Sequence, residues 1–133
     1  MNNIKFRAWH KEYKRMLKVI NLEWLGNEFE DLFKITIHED GGSIFGKSYN
    51  PNEIELMQWT YNYDKNKKEI YVGDIIRLGE QDTFYISMFR GTHVLSWKQG
   101  NFIHNDRLLA DFKASEIEVT GNIYEHREKE DAK

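Results

Sequence analysis

The chain has 133 residues, which suits one domain or two very small lobes that share a core. Its 19 basic and 22 acidic residues leave a net charge of −3, which argues against a protein that coats nucleic acid by charge alone. The absence of cysteine excludes disulfides, thiolate metal sites and thiol nucleophiles. No apolar run approaches the roughly 18 residues of a membrane span. We therefore expect a globular, cytoplasmic protein that does not contact a membrane.

Alternation of apolar and polar residues predicts strands in the first third of the chain. Residues 4–9 alternate, residues 10–15 form a polar turn and residues 16–20 resume an extended pattern, which predicts an N-terminal hairpin. Residues 33–38 alternate in the same way and predict a half-buried strand. Between these segments, the apolar residues of 21–32 have rough helical spacing, so a short helix is an alternative there.

The remaining sequence predicts short strands separated by polar turns. We expect strands over residues 53–61, 69–78, 83–89, 93–97, 102–104 and 116–124, with a hairpin turn at 98–101 and a helical turn within 106–114. Together these elements predict a mainly β protein with minor α content. Its short antiparallel strands would form a small barrel or sandwich.

The domain organisation follows from the absence of a linker. We predict a single domain over residues 1–124, or two small β lobes, followed by a charged C-terminal tail at 125–133 that frays or forms a loose helical turn. The predicted core residues are Phe6, Trp24, Phe33, Ile35, Ile37, Leu56, Trp59, Ile70, Ile75, Phe84, Ile86, Leu95, Phe102, Ile117, Val119 and Ile123.

Four segments, in order from end to end of the chain, carry a family resemblance. They are IKFRAW at 4–9, LMQWT at 56–60, DKNKKEIYVGDII at 64–76 and GNIYE at 121–125. Together they resemble the YopX family of bacteriophage and prophage proteins. Two departures concern turn geometry, because the family usually has glycine where this chain has Tyr61 and Lys67.

The resemblance implies a YopX-type fold and an accessory protein of a phage or prophage, in the cytoplasm of the bacterial host cell. It implies self-association into a homo-oligomer, a trimer or larger, and it supplies no catalytic residue and no cofactor. The composition agrees with an interaction role, because eight Phe, seven Tyr and four Trp are too many for the inner face of a small barrel. We therefore predict a self-associating interaction module without catalysis, whose further partner is a phage or host protein.

A nucleic-acid-binding protein is the main alternative. Basic and aromatic residues cluster near the N-terminus, at Lys5, Arg7, Trp9, Lys11, Lys14 and Arg15. Residues 65–68 add a second basic turn, and exposed aromatic rings at Trp9, Tyr13, Tyr61 and Tyr63 would stack on bases. The competing interpretation is that these rings pack in the core and that the lysines protect edge strands from aggregation.

Residues 41–48, GGSIFGKS, match the P-loop pattern, so Gly46, Lys47 and Ser48 are candidates for binding a nucleotide phosphate. A P-loop must open a helix, however, and Pro51 disfavours helical backbone at Asn50. A chance match in a glycine-rich loop is the favoured interpretation.

A metal site is the last candidate. His93, His104 and Asp106 could form a site of two histidines and one carboxylate if the hairpin places them on one face. No helical spacing of ligands supports this site, and the alternative is an apolar hairpin face with polar borders. We predict no metal, and no serine stands in a nucleophile-elbow pattern. The expectation is therefore that the protein is not an enzyme.

Overall fold

The computed structural model describes the backbone of residues 5–24, 33–38, 47–49, 53–80 and 82–131, and the side chains of 5–17, 19, 53–80, 82–105 and 107–127. The chain divides into two compact units, Met1–Gln58 and Trp59–Lys133. Antiparallel strands dominate both, so the prediction of a mainly β fold with minor α content is confirmed.

The strands of the first unit form an antiparallel sheet with the order β4-β3-β2-β1-β5. The strands are β1 Phe6–His10, β2 Arg15–Trp24, β3 Phe33–His38, β4 Lys47–Tyr49 and β5 Ile54–Tyr63, whose second half lies in the other unit. The N-terminal hairpin and the strand at 33–38 are confirmed. Residues 21–24 belong to β2 rather than to a helix, because they pair with β3 (Trp24 opposite Phe33). Residues 25–32 lie outside the described part of the chain.

The described core of the first unit lies where β1, β2 and β5 meet. Ala8, Leu17 and Ile54 are buried, and Val19 and Leu56 pack against them. Trp9, on the opposite face of β1 from Ala8, is also buried, with 5% of its surface exposed. Both faces of β1 are therefore covered at this point, and the expectation of an exposed Trp9 is wrong.

The second unit contains a five-stranded antiparallel sheet with the order β10-β9-β8-β7-β11. The elements of this unit are β6 Glu69–Tyr71, β7 Asp74–Leu78, β8 Asp82–Phe89, β9 Thr92–Gln99, β10 Phe102–Leu108, β11 Ile117–Asn122 and α1 Ile123–Asp131. Strand β6 pairs with the second half of β5. The buried cluster is aliphatic and consists of Ile70, Ile76, Ile86, Leu95, Leu109 and Ile117. The predicted hairpin is confirmed, but its turn is limited to residues 100–101, because Lys98 and Gln99 belong to β9 and Phe102 pairs with Gln99.

Two carboxylates hold the turns of the family segment at 64–76. Asp64 is buried and accepts hydrogen bonds at Oδ1 from the amides of Asn66 (2.8 Å) and Lys68 (2.9 Å), and at Oδ2 from the amide of Val119 (2.9 Å). Buried Asp74 accepts from the amide of Tyr71 at 2.8 Å. These residues therefore shape the fold, since each satisfies backbone amides that would otherwise lack partners.

The C-terminal part differs from the prediction in where the strands end. Strand β10 continues to Leu108, and the predicted helical turn is reduced to short 3₁₀ helices at Leu109–Asp111 and Ala114–Glu116. Strand β11 ends at Asn122, whose Oδ1 accepts from the amides of Tyr124 and Glu125. This side chain satisfies the first free amides of α1, so a helix replaces the predicted last residues of the strand.

Among the residues that the structure describes, four other than glycine have left-handed backbone conformations: Lys14 (φ 55°), Tyr61 (φ 66°), Lys67 (φ 63°) and Arg90 (φ 52°). Two of them, Tyr61 and Lys67, stand at the two departures from the family pattern. The turn geometry that glycine adopts readily is therefore kept here by residues with a Cβ, at a cost in backbone strain.

Candidate functional site

The basic N-terminal hairpin does not form the predicted stacking surface. Trp9 is buried, and the ammonium of Lys11 lies 3.4 Å from the carboxylate of Glu55. Tyr13 is exposed, but its ring stacks on His10 at 4.0 Å, with the guanidinium of Arg15 at 5.8 Å from the ring centroid. The remaining candidates are placed at the surface or near it: Lys5, Lys14 and Arg15 are exposed and Arg7 is half-buried.

The phosphate-binding candidates Lys47 and Ser48 lie in strand β4, where Ser48 pairs with Thr36 of β3 in antiparallel orientation. A P-loop requires a helix to begin at these positions, because the helix N-terminus and the loop amides bind the phosphates together. Strand pairing of this segment therefore contradicts a P-loop. Gly46 and the rest of the glycine-rich loop lie outside the described residues.

The histidines proposed for a metal site are not cross-strand neighbours. His93 pairs with Met88, whereas His104 pairs with Trp97 and stacks on its ring at 4.1 Å. The pairing is regular as far as Asn105, and a β-bulge between Asn105 and Arg107 then interrupts the alternation at Asp106. The side chain of Asp106 is not described, and among the described residues no group of three potential ligands comes together.

The outer edge of β10 is the first surface that the sequence analysis missed. Phe102 is 73% exposed and Ile103 58% exposed, and Leu108 at the other end of the strand is exposed as well. Phe102 was predicted to lie in the core, which is wrong. Because consecutive residues of a strand point to opposite faces, Phe102 and Ile103 could not both enter one core, and this adjacency was the available signal.

The opposite edge of the same sheet is covered by the chain itself. The amide of Lys65 donates to the carbonyl of Ile117 at 2.8 Å, and the carboxylate of Asp64 accepts from the amide of Val119. The 64–68 turn therefore satisfies polar groups along β11. On β10, by contrast, no strand within the described ranges pairs with the outer edge.

A second exposed surface is formed by three aromatic residues at the end of β5, which we call the tyrosine platform: Trp59, Tyr61 and Tyr63. The buried Trp59 ring lies 4.9 Å from the ring of Tyr61 and 5.5 Å from the ring of Tyr63. Tyr61 is 43% exposed and Tyr63 is 45% exposed, as the nucleic-acid alternative required for these two rings. The two tyrosines thus flank one fixed indole.

A charged cleft of about 700 Å³ has Lys65, Arg77 and Glu118 in its lining. The Glu118 carboxylate is 2.7 Å from the Arg77 guanidinium and 3.1 Å from the Lys65 ammonium. Hydrogen bonds from Arg77 and then Lys65 lower the pKa of Glu118 below its ordinary value. The negative charge of Glu118 is balanced by Arg77 and Lys65 within the cleft itself, which favours a structural role for this ion-pair network.

Comparison with known proteins assigns the family. The sequence pattern of the YopX protein family matches residues 5–129, nearly the whole chain, and the chain belongs to this family. Among solved structures, the chain is similar to the crystal structure of protein EF1440 from Enterococcus faecalis. The two share 23% sequence identity and a TM-score of 0.65, over 97% of this chain and 99% of that chain. At this identity the similarity supports the fold alone. A search of curated proteins gives no match.

No helix in the part of the chain that the structure describes is long and apolar enough to cross a bilayer.

Proposed function

We propose that this YopX-family protein is a self-associating interaction module of phage or prophage origin that acts without catalysis. The observation that carries the proposal is the outer edge of β10, which presents exposed Phe102 and Ile103 beside backbone groups that no described strand pairs with. An exposed apolar edge strand is an aggregation hazard unless something covers it. A strand of a second copy covers it with matching backbone groups.

The bulge in β10 limits the segment available for pairing. Between Asn105 and Arg107 the register shifts, so regular pairing is confined to 102–105. Two copies of this segment, related by a twofold axis, can pair in antiparallel orientation. Phe102 and Ile103 of one copy then lie against the same segment of the second copy. This contact favours a dimer, whereas the family resemblance led us to expect a trimer or larger.

The phosphate and metal candidates of the sequence lie in other positions than those alternatives require. Lys47 and Ser48 lie on a strand, and the two histidines of the proposed metal site are on separate cross-strand pairs. Within the described residues, the elements of phosphate or metal chemistry are thus not assembled.

The test is the molar mass of the wild type and of Ile103→Lys by light scattering, across protein concentrations of about 1–100 µM. We expect the wild type to dimerise and Ile103→Lys to remain a monomer, because the substitution places a charge in the apolar contact. The matched control is Tyr13→Lys, which changes an exposed aromatic residue of the other unit and should leave the mass unchanged. A monomeric wild type over the whole range contradicts the proposal.

A further inference from the structure

We propose that the tyrosine platform, together with Lys67 and Lys65, binds single-stranded nucleic acid, with bases on the Tyr61 and Tyr63 rings and phosphates at the lysines. This site is separate from the β10 edge and independent of self-association. It uses the Tyr61 and Tyr63 rings and the basic turn at 65–68 of the nucleic-acid alternative, without the N-terminal basic hairpin.

The first argument is backbone strain at two side chains that face solvent. Tyr61 (φ 66°) and Lys67 (φ 63°) both adopt the left-handed conformation, which is costly for a residue with a Cβ and free of cost for glycine. Neither side chain is buried in the core, and the ring contact of Tyr61 with Trp59 leaves 43% of Tyr61 exposed, so packing compensates for the strain only in part. Residues whose strain is not fully compensated by packing are found at functional sites, and here they supply an aromatic ring and a cation.

The second argument is the rigidity of the rings. Trp59 is 8% exposed, and its Nε1 donates to the carbonyl of Asn62 at 3.2 Å, which fixes the indole against the backbone of β5. The rings of Tyr61 and Tyr63 contact this indole and keep nearly half of their surface open to solvent. Rings held in this way stack on bases with little loss of side-chain entropy.

The third argument is the placement of positive charge. A groove of about 410 Å³ beside Tyr63 is also lined by Lys65, Lys67 and Ser115. Lys67 forms no ion pair with any described residue, so its ammonium is available to a phosphate. The Lys65 ammonium lies 3.1 Å from Glu118 and would exchange this partner for the ligand. Two lysines next to an open aromatic ring match the pattern of proteins that bind single strands.

The carboxylates near the groove decide where the phosphates lie. Asp64 lines the groove, but its two oxygens already accept backbone amides. Glu69 stands opposite Tyr63 on β6 and would repel a phosphate, so the strand should run on the side of Lys65 and Lys67. A duplex hides its base faces from the two rings, and the net charge of −3 gives it no compensating attraction. The proposed ligand is therefore unpaired.

The experiment measures fluorescence anisotropy of labelled oligothymidylate and oligouridylate of about 12 nucleotides, with the matching duplex as a third probe. Binding is measured at about 50 mM and about 200 mM salt, and thermal unfolding is followed for every variant. The decisive variants are Tyr61→Gly and Lys67→Gly. Each should raise the unfolding temperature by about 2–4 °C, because it relieves strain, and at the same time weaken single-strand binding.

The size of each loss follows from the interaction removed. Loss of the Tyr61 ring should weaken binding at least about fivefold, the lower end for one stacked base. Loss of Lys67 should reduce the slope of log affinity against log salt by about 0.7, the value for one phosphate contact of a single strand. Tyr63→Phe keeps the ring and should bind as the wild type does, whereas Tyr63→Ala should lose binding.

Arg90→Gly is the matched control, because Arg90 is a strained cation in the β8–β9 turn and not part of the platform. It should raise the unfolding temperature and leave binding unchanged. The proposal is overturned if neither single strand binds at the lower salt concentration, if the duplex binds better than both, or if Tyr63→Ala binds as the wild type does. Light scattering of Ile103→Lys tests self-association separately, so the two proposals can fail independently.

Discussion

At the scale of single residues, the family segment 64–76 is explained by what Asp64 does for the backbone. Three amides converge on one buried carboxylate, two from its own turn and one from β11. Burial acts to raise the pKa of Asp64, but the hydrogen bonds from the amides of Val119, Lys68 and Asn66 outweigh it and hold the pKa below its ordinary value. The carboxylate therefore joins two distant parts of the chain in its charged form.

We predict that Asp64→Asn destabilises the protein by about 1–3 kcal/mol, because an amide nitrogen must replace one acceptor and leaves a backbone amide without a partner. Urea denaturation of the wild type and the variant measures this difference. Asp82→Asn, a substitution of an exposed aspartate in β8, should change the free energy of unfolding by less than about 0.5 kcal/mol. Equal losses in the two variants would show that general charge, rather than the amide contacts, is responsible.

At the scale of elements, the transition from β11 to α1 depends on Asn122. This residue pairs with Asp74 in the sheet, while its side chain accepts the amides of Tyr124 and Glu125. One residue thus ends a strand and begins a helix, which is why α1 follows β11 without a loop.

We predict that Asn122→Ala costs about 1 kcal/mol of stability and reduces the helical signal in circular dichroism, because the first amides of α1 lose their acceptor. Asn122→Ser, which keeps an acceptor at the same place, should retain most of both quantities. If Asn122→Ala has the helicity of the wild type, the side-chain cap does not determine where α1 begins.

The sequence predicts the strands better than their ends and faces. Alternation locates the N-terminal hairpin and the pair β9–β10, because period-two burial is a local property of each strand. It does not predict the β-bulges, one of which lies between Asn105 and Arg107 and another between Trp59 and Asn62. A bulge depends on the partner strand, so periodicity in one segment does not contain it.

The candidate sites were predictable only in part, for the same reason. The exposed rings of Tyr61 and Tyr63 and the lysines of the 64–68 turn are visible in the sequence. The burial of Trp9 is not, because it depends on the covering of both faces of β1. The position of β10 at the sheet edge is also hidden, since strand order is set by long-range pairing.

At the scale of the whole molecule, three of the described groups link folding to pH in the same direction, because the pKa values of His93, Asp64 and Glu118 all lie below their ordinary values. Burial lowers the pKa of His93 below its ordinary value of 6.5, and backbone amides hold the pKa of Asp64 below 3.8. In all three cases the unfolded chain binds a proton more readily than the folded one, so protonation favours unfolding. The contribution of each group to stability is complete above its unfolded pKa and is lost as the pH falls toward the lower pKa of the folded state.

We predict that the free energy of unfolding falls in two stages as the pH decreases, first below about 6.5 through His93 and then below about 3.8 through Asp64. Urea titrations at a series of pH values measure this profile. His93→Gln should remove the His93 contribution to the first stage and leave the second, whereas Asp64→Asn should leave the first stage and reduce the second, to which Glu118 also contributes. A stability that is constant between pH 7 and pH 5 in the wild type would contradict the assignment to His93.

The covering of β11 by the 64–68 turn limits how many copies of the protein can join through this sheet. A sheet with two open edges can add neighbours without limit and grow into fibres, whereas in the described part of this sheet the β11 edge is already bonded to the 64–68 turn. If two molecules pair through their β10 edges, neither keeps an open edge in the described part of this sheet to which a third molecule could add. Growth through the proposed contact is therefore self-limiting, and we predict that raising the concentration converts monomers into pairs without producing longer chains.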